Sequence, residues 1–253
     1  MTTIRVKDLT LQTPPVGADS IEVDSTSGGT RRVLVSEILA GFTLDTITGF
    51  DDFTDALATA WGSDLTAGGT ASFEDGIDVA GYGGTGYGKV SATDAAGSRS
   101  DIARVYTSFW PAQSPVITWR LAIGFEADDH YDRLLGLAEQ GLANIVAWAA
   151  VWNGASHDHS LLIMKASAPD FTAFALPALG GAKAYIVRLT MTPTGATLEI
   201  APEGSALAVV ATRALAPTAT LYSPLVSLKG SGVPAAETRT AAPDYVAWRA
   251  ARI

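Results

Sequence analysis

The sequence predicts an all-β protein, an antiparallel β-sandwich from about residue 46 to residue 253 that follows a small N-terminal segment. Two observations predict this fold. From about residue 48 onward, short runs alternate apolar and polar residues and are separated by turns of Gly, Pro, Asp or Ser. Helix signals are weak in the same part of the chain, since even the helix formers at 134–149 are interrupted by Gly136 and Gly141.

The N-terminal segment, residues 1–45, has a different pattern. It contains strand-like runs at 20–24 and 31–35, with a Gly-rich turn between them. Ser36 is placed to cap a short helix at 37–40. A segment of this size is too small to bury a core of its own. We therefore expect it to pack against other chains, either its own copies or a different protein.

The clearest strand of the sandwich is predicted at 116–125, where every second residue is apolar and the residues between them are mostly polar. Its apolar face consists of Ile117, Trp119, Leu121, Ile123 and Phe125. Strands at 185–191 and 197–200 flank a short turn and predict a hairpin. Further strands are predicted at residues 102–109, 145–152, 161–165, 207–212 and 245–248.

Composition excludes several classes of function. The 17 Lys and Arg residues against 26 Asp and Glu give a net charge of -9, and no basic cluster is present, so we expect no nucleic-acid partner. With no cysteine, the chain has no disulfide, thiolate metal site or cysteine nucleophile. Its apolar runs are shorter than the ~20 residues of a spanning helix, so we expect no membrane insertion. The N-terminus lacks the apolar core of a signal peptide, so an extracellular role requires lysis or export in an assembly.

A glycine-rich run at 81–86 matches the spacing of dinucleotide-binding loops, and 83–89 matches part of a Walker loop. Val90 occupies the position where a Walker loop needs Ser or Thr, and no amphipathic helix follows. We therefore interpret this run as a flexible loop at the rim of the sandwich, and we expect no cofactor.

Several segments resemble concanavalin-like jelly rolls. Residues 50–53 (Phe-Asp-Asp-Phe), followed by Ala56-Leu57 and Trp61, are similar to the first strand of that fold, which often begins with an acidic-Phe pair and a nearby Trp. The strand at 118–121, the hairpin at 185–200 and the closing 244–248 occur in the same order. The resemblance covers about 200 residues and implies a concanavalin-like jelly roll.

The first forty residues resemble the leader of tailed-phage and gene-transfer-agent fibre, spike and minor virion proteins. The similarity comprises 4–9, then 19–23, then the run Thr-Arg-Arg-Val-Leu-Val-Ser-Glu-Ile-Leu at 30–39. In that family the leader fixes the fibre to the particle. The resemblance implies that virion anchoring here would use Ile21, Val23, Arg31, Arg32, Val33, Val35, Ile38 and Leu39.

An acidic run at 126–130 ends the strongest predicted strand. Jelly-roll glycoside hydrolases that resemble this fold place their catalytic carboxylates on one face of one strand, because retaining hydrolysis needs two of them about 5 to 5.5 Å apart. Strand alternation would put Glu126, Asp128 and His130 on one face, so the third carboxylate is missing. We interpret the run as a solvated acidic loop and assign no catalytic residue.

The run at 156–159, Ser-His-Asp-His, contains the residues of a catalytic triad, but neighbouring residues of a strand point to opposite faces and cannot converge. His157 and His159 share a face and could bind zinc or nickel with a third ligand, for which His130 is the remaining histidine. The simpler interpretation is a turn at 153–159, with no metal.

The six tryptophans divide into two groups. Trp61, Trp119 and Trp248 are in phase with strand alternation, which predicts that they lie in the core. The other three tryptophans are candidates for ligand binding, because exposed aromatic rings stack on sugar faces. We group His157 and His159 with them. The predicted ligand-binding set is Trp110, Trp148, Trp152, His157 and His159.

Together these observations predict a non-enzymatic virion structural protein, a fibre or spike on the capsid or tail of a phage-like particle. The resemblance implies a homotrimer whose partners are other virion proteins and, at its tip, a host surface glycan. It also implies that the protein is located in the virion and is assembled in the host cytoplasm. The alternative is a stand-alone carbohydrate-binding or glycan-cleaving jelly-roll module.

Overall fold

The structure is a computed structural model of the 253-residue chain. The residues that it describes are 5–6, 20–25, 29–34, 46–51, 61–66, 70–75, 86–93, 99–104, 107–122, 131–182, 184–230 and 238–252. The chain divides into two compact units, Met1–Thr46 and Ile47–Ala251. In the described part of the chain there is no helix whose length and hydropathy would let it span a membrane.

The first unit contains a three-stranded antiparallel sheet in the order β1-β2-β3. Its strands are β1 (Arg5–Val6), β2 (Ser20–Ser25) and β3 (Gly29–Leu34). Two of them occupy the positions of the predicted strands at 20–24 and 31–35. The register places Ile21 opposite Val33 and Val23 opposite Arg31. Of the predicted anchoring residues, Val35, Ile38 and Leu39 lie outside the described residues, as does the predicted helix at 37–40.

The second unit is a sandwich of two antiparallel sheets. Its strands are β4 (Thr46–Asp51), β5 (Trp61–Thr66), β6 (Thr70–Asp75), β7 (Gly86–Thr93), β8 (Arg99–Arg104), β9 (Val116–Ala122), β10 (Tyr131–Ala138), β11 (Ile145–Trp152), β12 (His157–Lys165), β13 (Ala168–Ala173), β14 (Tyr185–Thr192), β15 (Gly195–Pro202), β16 (Ala208–Arg213), β17 (Ser223–Gly230) and β18 (Thr238–Ala251). One sheet has the order β13-β12-β11-β10-β17-β8-β5. The other has the order β16-β15-β14-β9-β18-β7-β6, with β4 paired to β18. The predicted all-β sandwich is confirmed.

The core lies between the two sheets and is built by strand alternation. On β9, Ile117, Trp119 and Leu121 are buried, as the sequence predicts. Their partners across the sandwich come from alternate positions of β10, β11 and β12, and include Leu135, Leu137, Val146, Leu161 and Ile163. Trp61, Trp119 and Trp248 belong to this core, which confirms their predicted role.

β11 is buried on both of its faces. A second apolar cluster on the outer face of its sheet contains Ile145, Ala147, Ala149, Leu162 and Leu225. This explains the continuous apolar run of β11, because a strand covered on both sides has no polar face to show. β10 and β11 also approach each other closely, because a side chain at Gly136 would overlap the backbone of Val146 and Ala147.

Some strand bounds differ from the predicted ones. β12 begins at His157 and not at residue 161, because the preceding turn needs only four residues, 153–156. β8 ends at Arg104, and Phe109 forms an isolated bridge to Tyr222 where a strand was predicted. The acidic run with Glu126, Asp128 and His130 lies outside the described residues, as does the glycine-rich run apart from Gly86.

Candidate functional site: a groove at the edge of the seven-stranded sheet

The groove lies where the edge strand β13 ends. β13 pairs with β12 from Ala168 opposite Lys165 to Ala173 opposite Ser160, so that residues 157–159 of β12 extend past the end of their neighbour. The resulting hollow is open to solvent and has a volume of about 650 Å³. It is lined by Val151, His157, Asp158, His159, Ser160, Phe171, Ala173, Phe174, Ala175 and Leu176.

A tight turn joins β11 to β12 and fixes the start of β12. The Asn153 side-chain oxygen accepts hydrogen bonds from the backbone N–H groups of Ala155 and Ser156, at 3.0 and 2.9 Å. Asparagine favours this local turn, because its side chain substitutes for a backbone acceptor. Gly154 occupies the left-handed region at φ +99°, which glycine adopts without strain. The turn therefore places residues 157–159 beside the end of β11.

Five aromatic rings contact one another at the inner side of the groove. His159 lies between Trp148 and Phe174, with ring centroids 5.8 and 6.1 Å away, and its centroid is 6.3 Å from that of His157. Trp152 meets His157 edge to face at 5.4 Å. Alternation on β11 and β12 produces this arrangement, because residues two or four positions apart share a face.

The Trp148 indole N–H donates a hydrogen bond to Nδ1 of His159 at 3.3 Å. An accepting Nδ1 carries no proton, so the neutral ring holds its proton on Nε2. The pKa of His159 is lowered from 6.5 to about 4, chiefly by burial and also by the positive charge of Arg133, while the charge of Asp158 acts in the opposite direction. His159 is therefore neutral at physiological pH.

Two hydrogen bonds fix the segment that follows β13, residues 174–177, beside the groove. The Phe174 N–H donates to the carbonyl of His159 at 3.0 Å, and the Tyr185 hydroxyl donates to the carbonyl of Pro177 at 2.6 Å. Burial raises the pKa of Tyr185, so its hydroxyl keeps the proton that it donates. The segment is therefore held at Phe174 and at Pro177.

A carboxylate supports the end of β11 that adjoins the turn at 153–156. Oδ1 of Asp132 accepts the backbone N–H of Trp152 at 3.1 Å. Partial burial raises the pKa of Asp132, although this hydrogen bond and the charge of Lys229 act in the opposite direction.

The outer side of the groove presents an exposed ring beside polar groups. Phe171 of β13 is 52% exposed, which is unusual for so large an apolar side chain. Asp158 is exposed on the neighbouring strand, and its Oδ1 accepts a hydrogen bond from Asn153 at 2.9 Å. Ser160 also lines the groove, but its side chain is buried. The sequence analysis missed Phe171. The available signal was a single Phe in a short run that also contains Pro and Asp, a composition typical of an edge strand.

The structure brings together four of the five predicted ligand-binding residues. His157 and His159 line the groove, and Trp152 contacts His157. Trp148 needs a correction, because its ring is only 3% exposed and offers no face for stacking. Its role is to support His159 from within the core.

Trp110 lies at a different place. It is 42% exposed and borders an apolar hollow of about 330 Å³ together with Pro111, Ala112, Pro193, Pro217 and Ala219. The backbone N–H of Trp110 donates to the Gln113 side chain at 2.8 Å. This hollow adjoins the turn at the end of β14, whereas the groove adjoins the start of that strand.

The described residues contain no group of three or more His, Asp or Glu side chains placed to hold a metal ion. One nitrogen of His159 is already engaged by Trp148. The hypothesis of a zinc or nickel site with His130 as third ligand involves a residue outside the described part of the chain.

The outer face of the other sheet carries two arginine–glutamate pairs. Arg120, buried at its side chain, holds Glu203 through two hydrogen bonds of 2.8 and 3.0 Å. Arg188 pairs with Glu199 directly across β14 and β15. That hydrogen bond lowers the pKa of Glu199 and keeps the carboxylate ionised.

No family model matches the sequence, and no curated protein matches it either. Solved structures match through their fold. The carbohydrate recognition domain of Emp47p has a TM-score of 0.56 at 10% identity, over 82% of this chain and 97% of that one. A glycoside hydrolase family 16 endo-glucanase from Bacteroides ovatus has a TM-score of 0.52 at 12% identity, over 78% and 98%. The CBM2 module of the evolved Dit of Lactobacillus casei BL23 phage J-1 has a TM-score of 0.51 at 14% identity, over 83% and 97%.

These comparisons show that the sandwich is a concanavalin-like jelly roll, as predicted. They also correct one prediction. The expectation of a non-enzymatic protein is wrong as an inference from the fold, because the same fold is found in a glycoside hydrolase as well as in a carbohydrate recognition domain. The jelly roll accommodates either role.

Proposed function

We propose that this chain is a carbohydrate-binding jelly-roll module and that the edge groove is its ligand site. The observation that supports this most directly is that the exposed ring of Phe171 and the exposed carboxylate of Asp158 line one open hollow. A sugar has an apolar face of C–H groups and a rim of hydroxyls, so it pairs with an aromatic ring bordered by hydrogen-bonding side chains. The groove volume lies in the range of ligand sites in proteins.

The structural neighbours support the same function. One is a carbohydrate recognition domain, another was solved with a bound oligosaccharide, and a third is the CBM2 module of a phage. A jelly roll that binds a saccharide at its edge would belong with these proteins in function as well as in fold.

The test is a titration of the full chain against a saccharide chosen from a glycan array. Phe171→Ala should weaken binding by about tenfold, which corresponds to roughly 1.4 kcal/mol of lost stacking. Phe50→Ala is the matched control, because Phe50 is 60% exposed but lies on β4 and does not line the groove. Equal affinities for the parent protein and Phe171→Ala would reject the groove as the site.

The same saccharides should be assayed for cleavage. Release of new reducing ends by the parent protein would add hydrolysis to binding, and Glu126→Gln would then show whether the acidic run supplies a catalytic carboxylate.

A second candidate is display of this module on a phage-like particle. The phage module with the same fold favours it, and so does the leader that the sequence places before the sandwich. On this hypothesis the protein is a fibre or spike located in the virion, assembled in the host cytoplasm as a homotrimer, with the first unit bound to other virion proteins. Light scattering would give three times 26.2 kDa for a trimer, and a mass of 26.2 kDa at every concentration would exclude it. Deletion of residues 1–45 should prevent incorporation into particles.

A further inference from the structure

The described lining of the groove contains one carboxylate and no lysine or arginine. The carboxylate belongs to Asp158. Asp158 is exposed to solvent, so its charge faces the space that a ligand would occupy. The electrostatic character of the groove is therefore negative.

Asp158 is held in place by a neutral partner. Nδ2 of Asn153 donates to its Oδ1 at 2.9 Å, and the same amide group contacts Ser156 at 3.3 Å. Because the Asn153 oxygen also accepts two backbone N–H groups, the amide orientation is fixed by the turn. The hydrogen bond orients the carboxylate without cancelling its charge, so that Asp158 is preorganised as an acceptor.

No lysine or arginine of the described lining offsets this charge, since Arg133, whose charge acts on His159, is buried outside the lining. His159 is neutral at physiological pH, since burial and Arg133 disfavour its protonated form. The guanidinium of Arg213, on the other sheet, is paired with Asp170 of β13 at 2.7 Å. The net charge of the whole chain, -9, adds to the negative potential.

We infer that the groove selects neutral saccharides with neighbouring hydroxyl groups and discriminates against saccharides that bear carboxylates. This inference rests on the proposed function. A carboxylate accepts hydrogen bonds from two adjacent hydroxyls through its two oxygens, whereas it repels a uronic acid at the same position. For two unit charges about 5 Å apart in a water-like medium, the repulsion corresponds to roughly a fourfold loss of affinity at low salt.

The experiment compares neutral sugars with their uronic-acid counterparts. Tetrasaccharides of glucose, galactose and mannose, each beside the corresponding uronic acid, are titrated against the full chain. The buffer is at pH 8, where free imidazole is neutral, and it contains EDTA so that no divalent cation bridges two carboxylates. At about 20 mM salt the neutral member of the bound pair should bind at least about fourfold more tightly, and about 500 mM salt should reduce this preference.

Two variants separate the local charge from the net charge. Asp158→Asn keeps a hydrogen-bonding side chain and should reduce the preference to less than about twofold. Asp170→Asn removes one negative charge from the neighbouring strand, outside the groove lining, and should leave the preference nearly unchanged. Equal or tighter binding of the uronic acid by the parent protein would overturn the inference while leaving saccharide binding intact. A preference that persists in Asp158→Asn would also overturn it. Absence of binding to every saccharide would reject the proposed function itself.

Discussion

Acidification should destabilise the sandwich through His159. The ring is held neutral in the folded state, where its pKa is about 4, whereas the unfolded chain has the ordinary value of 6.5. As the pH falls below 6.5, the unfolded state takes up a proton that the folded state does not, so stability is lost until the pH approaches 4. The full difference corresponds to about 3.4 kcal/mol, but His159 is only partly buried and water screens part of it. We therefore expect a loss of about 1 to 2 kcal/mol.

The assay is urea unfolding between pH 7.5 and pH 4, followed by tryptophan fluorescence. All six tryptophans lie after residue 46, so the signal reports on the sandwich. His159→Asn provides the reference, because its side-chain oxygen can accept the Trp148 N–H in place of Nδ1 but does not titrate. The carboxylates contribute equally to both proteins. The difference between the two slopes of unfolding free energy against pH therefore isolates His159. Parallel slopes for the two proteins would refute the reasoning.

Three further substitutions should change stability, as measured by urea unfolding at pH 7. Gly136→Ala should cost about 2 kcal/mol or more, because its new carbon would lie 2.6 Å from the Cα of Ala147; a loss below about 0.5 kcal/mol would contradict this packing. Asp132→Asn should stabilise the fold by less than about 1 kcal/mol, since it removes the cost of a partly buried charge and keeps the acceptor; the gain should disappear at acid pH, where the carboxyl is protonated. Glu203→Gln should cost about 1 kcal/mol, because the buried Arg120 loses an ionised partner, and an unchanged midpoint would show that the pair contributes nothing.

Strand alternation made much of the fold predictable. β9 and β14 each present one apolar and one polar face, so their positions and their buried residues follow from the period of two. For 134–149 the sequence favoured strands over a helix, which is correct, but it did not separate β10 from β11, and it missed β13. β10 packs apolar residues on both faces, and β13 is a short edge strand that contains Pro169 and only one large apolar residue.

The groove was predictable in part. Trp152, His157 and His159 are close in sequence, so a single hairpin brings them together, and their clustering is visible without a structure. Phe171 was missed because it reaches the groove only through the pairing of β13 with β12. Trp148 and Trp110 show the complementary failure. Both were predicted to bind a ligand, yet Trp148 is buried in the core and Trp110 is exposed at a separate hollow.

By itself, the sequence determined where strands such as β9 and β14 lie, which of their faces are apolar, and the negative charge of the whole chain. These properties are local or additive, so they can be summed along the chain without knowing which strands are neighbours. Only the tertiary structure decided that β13 stops short of His157, that Phe171 stays exposed, and that a hollow remains between them. Exposure and cavities depend on which distant parts of the chain pack against each strand. The alternation of residues within one strand does not determine those neighbours.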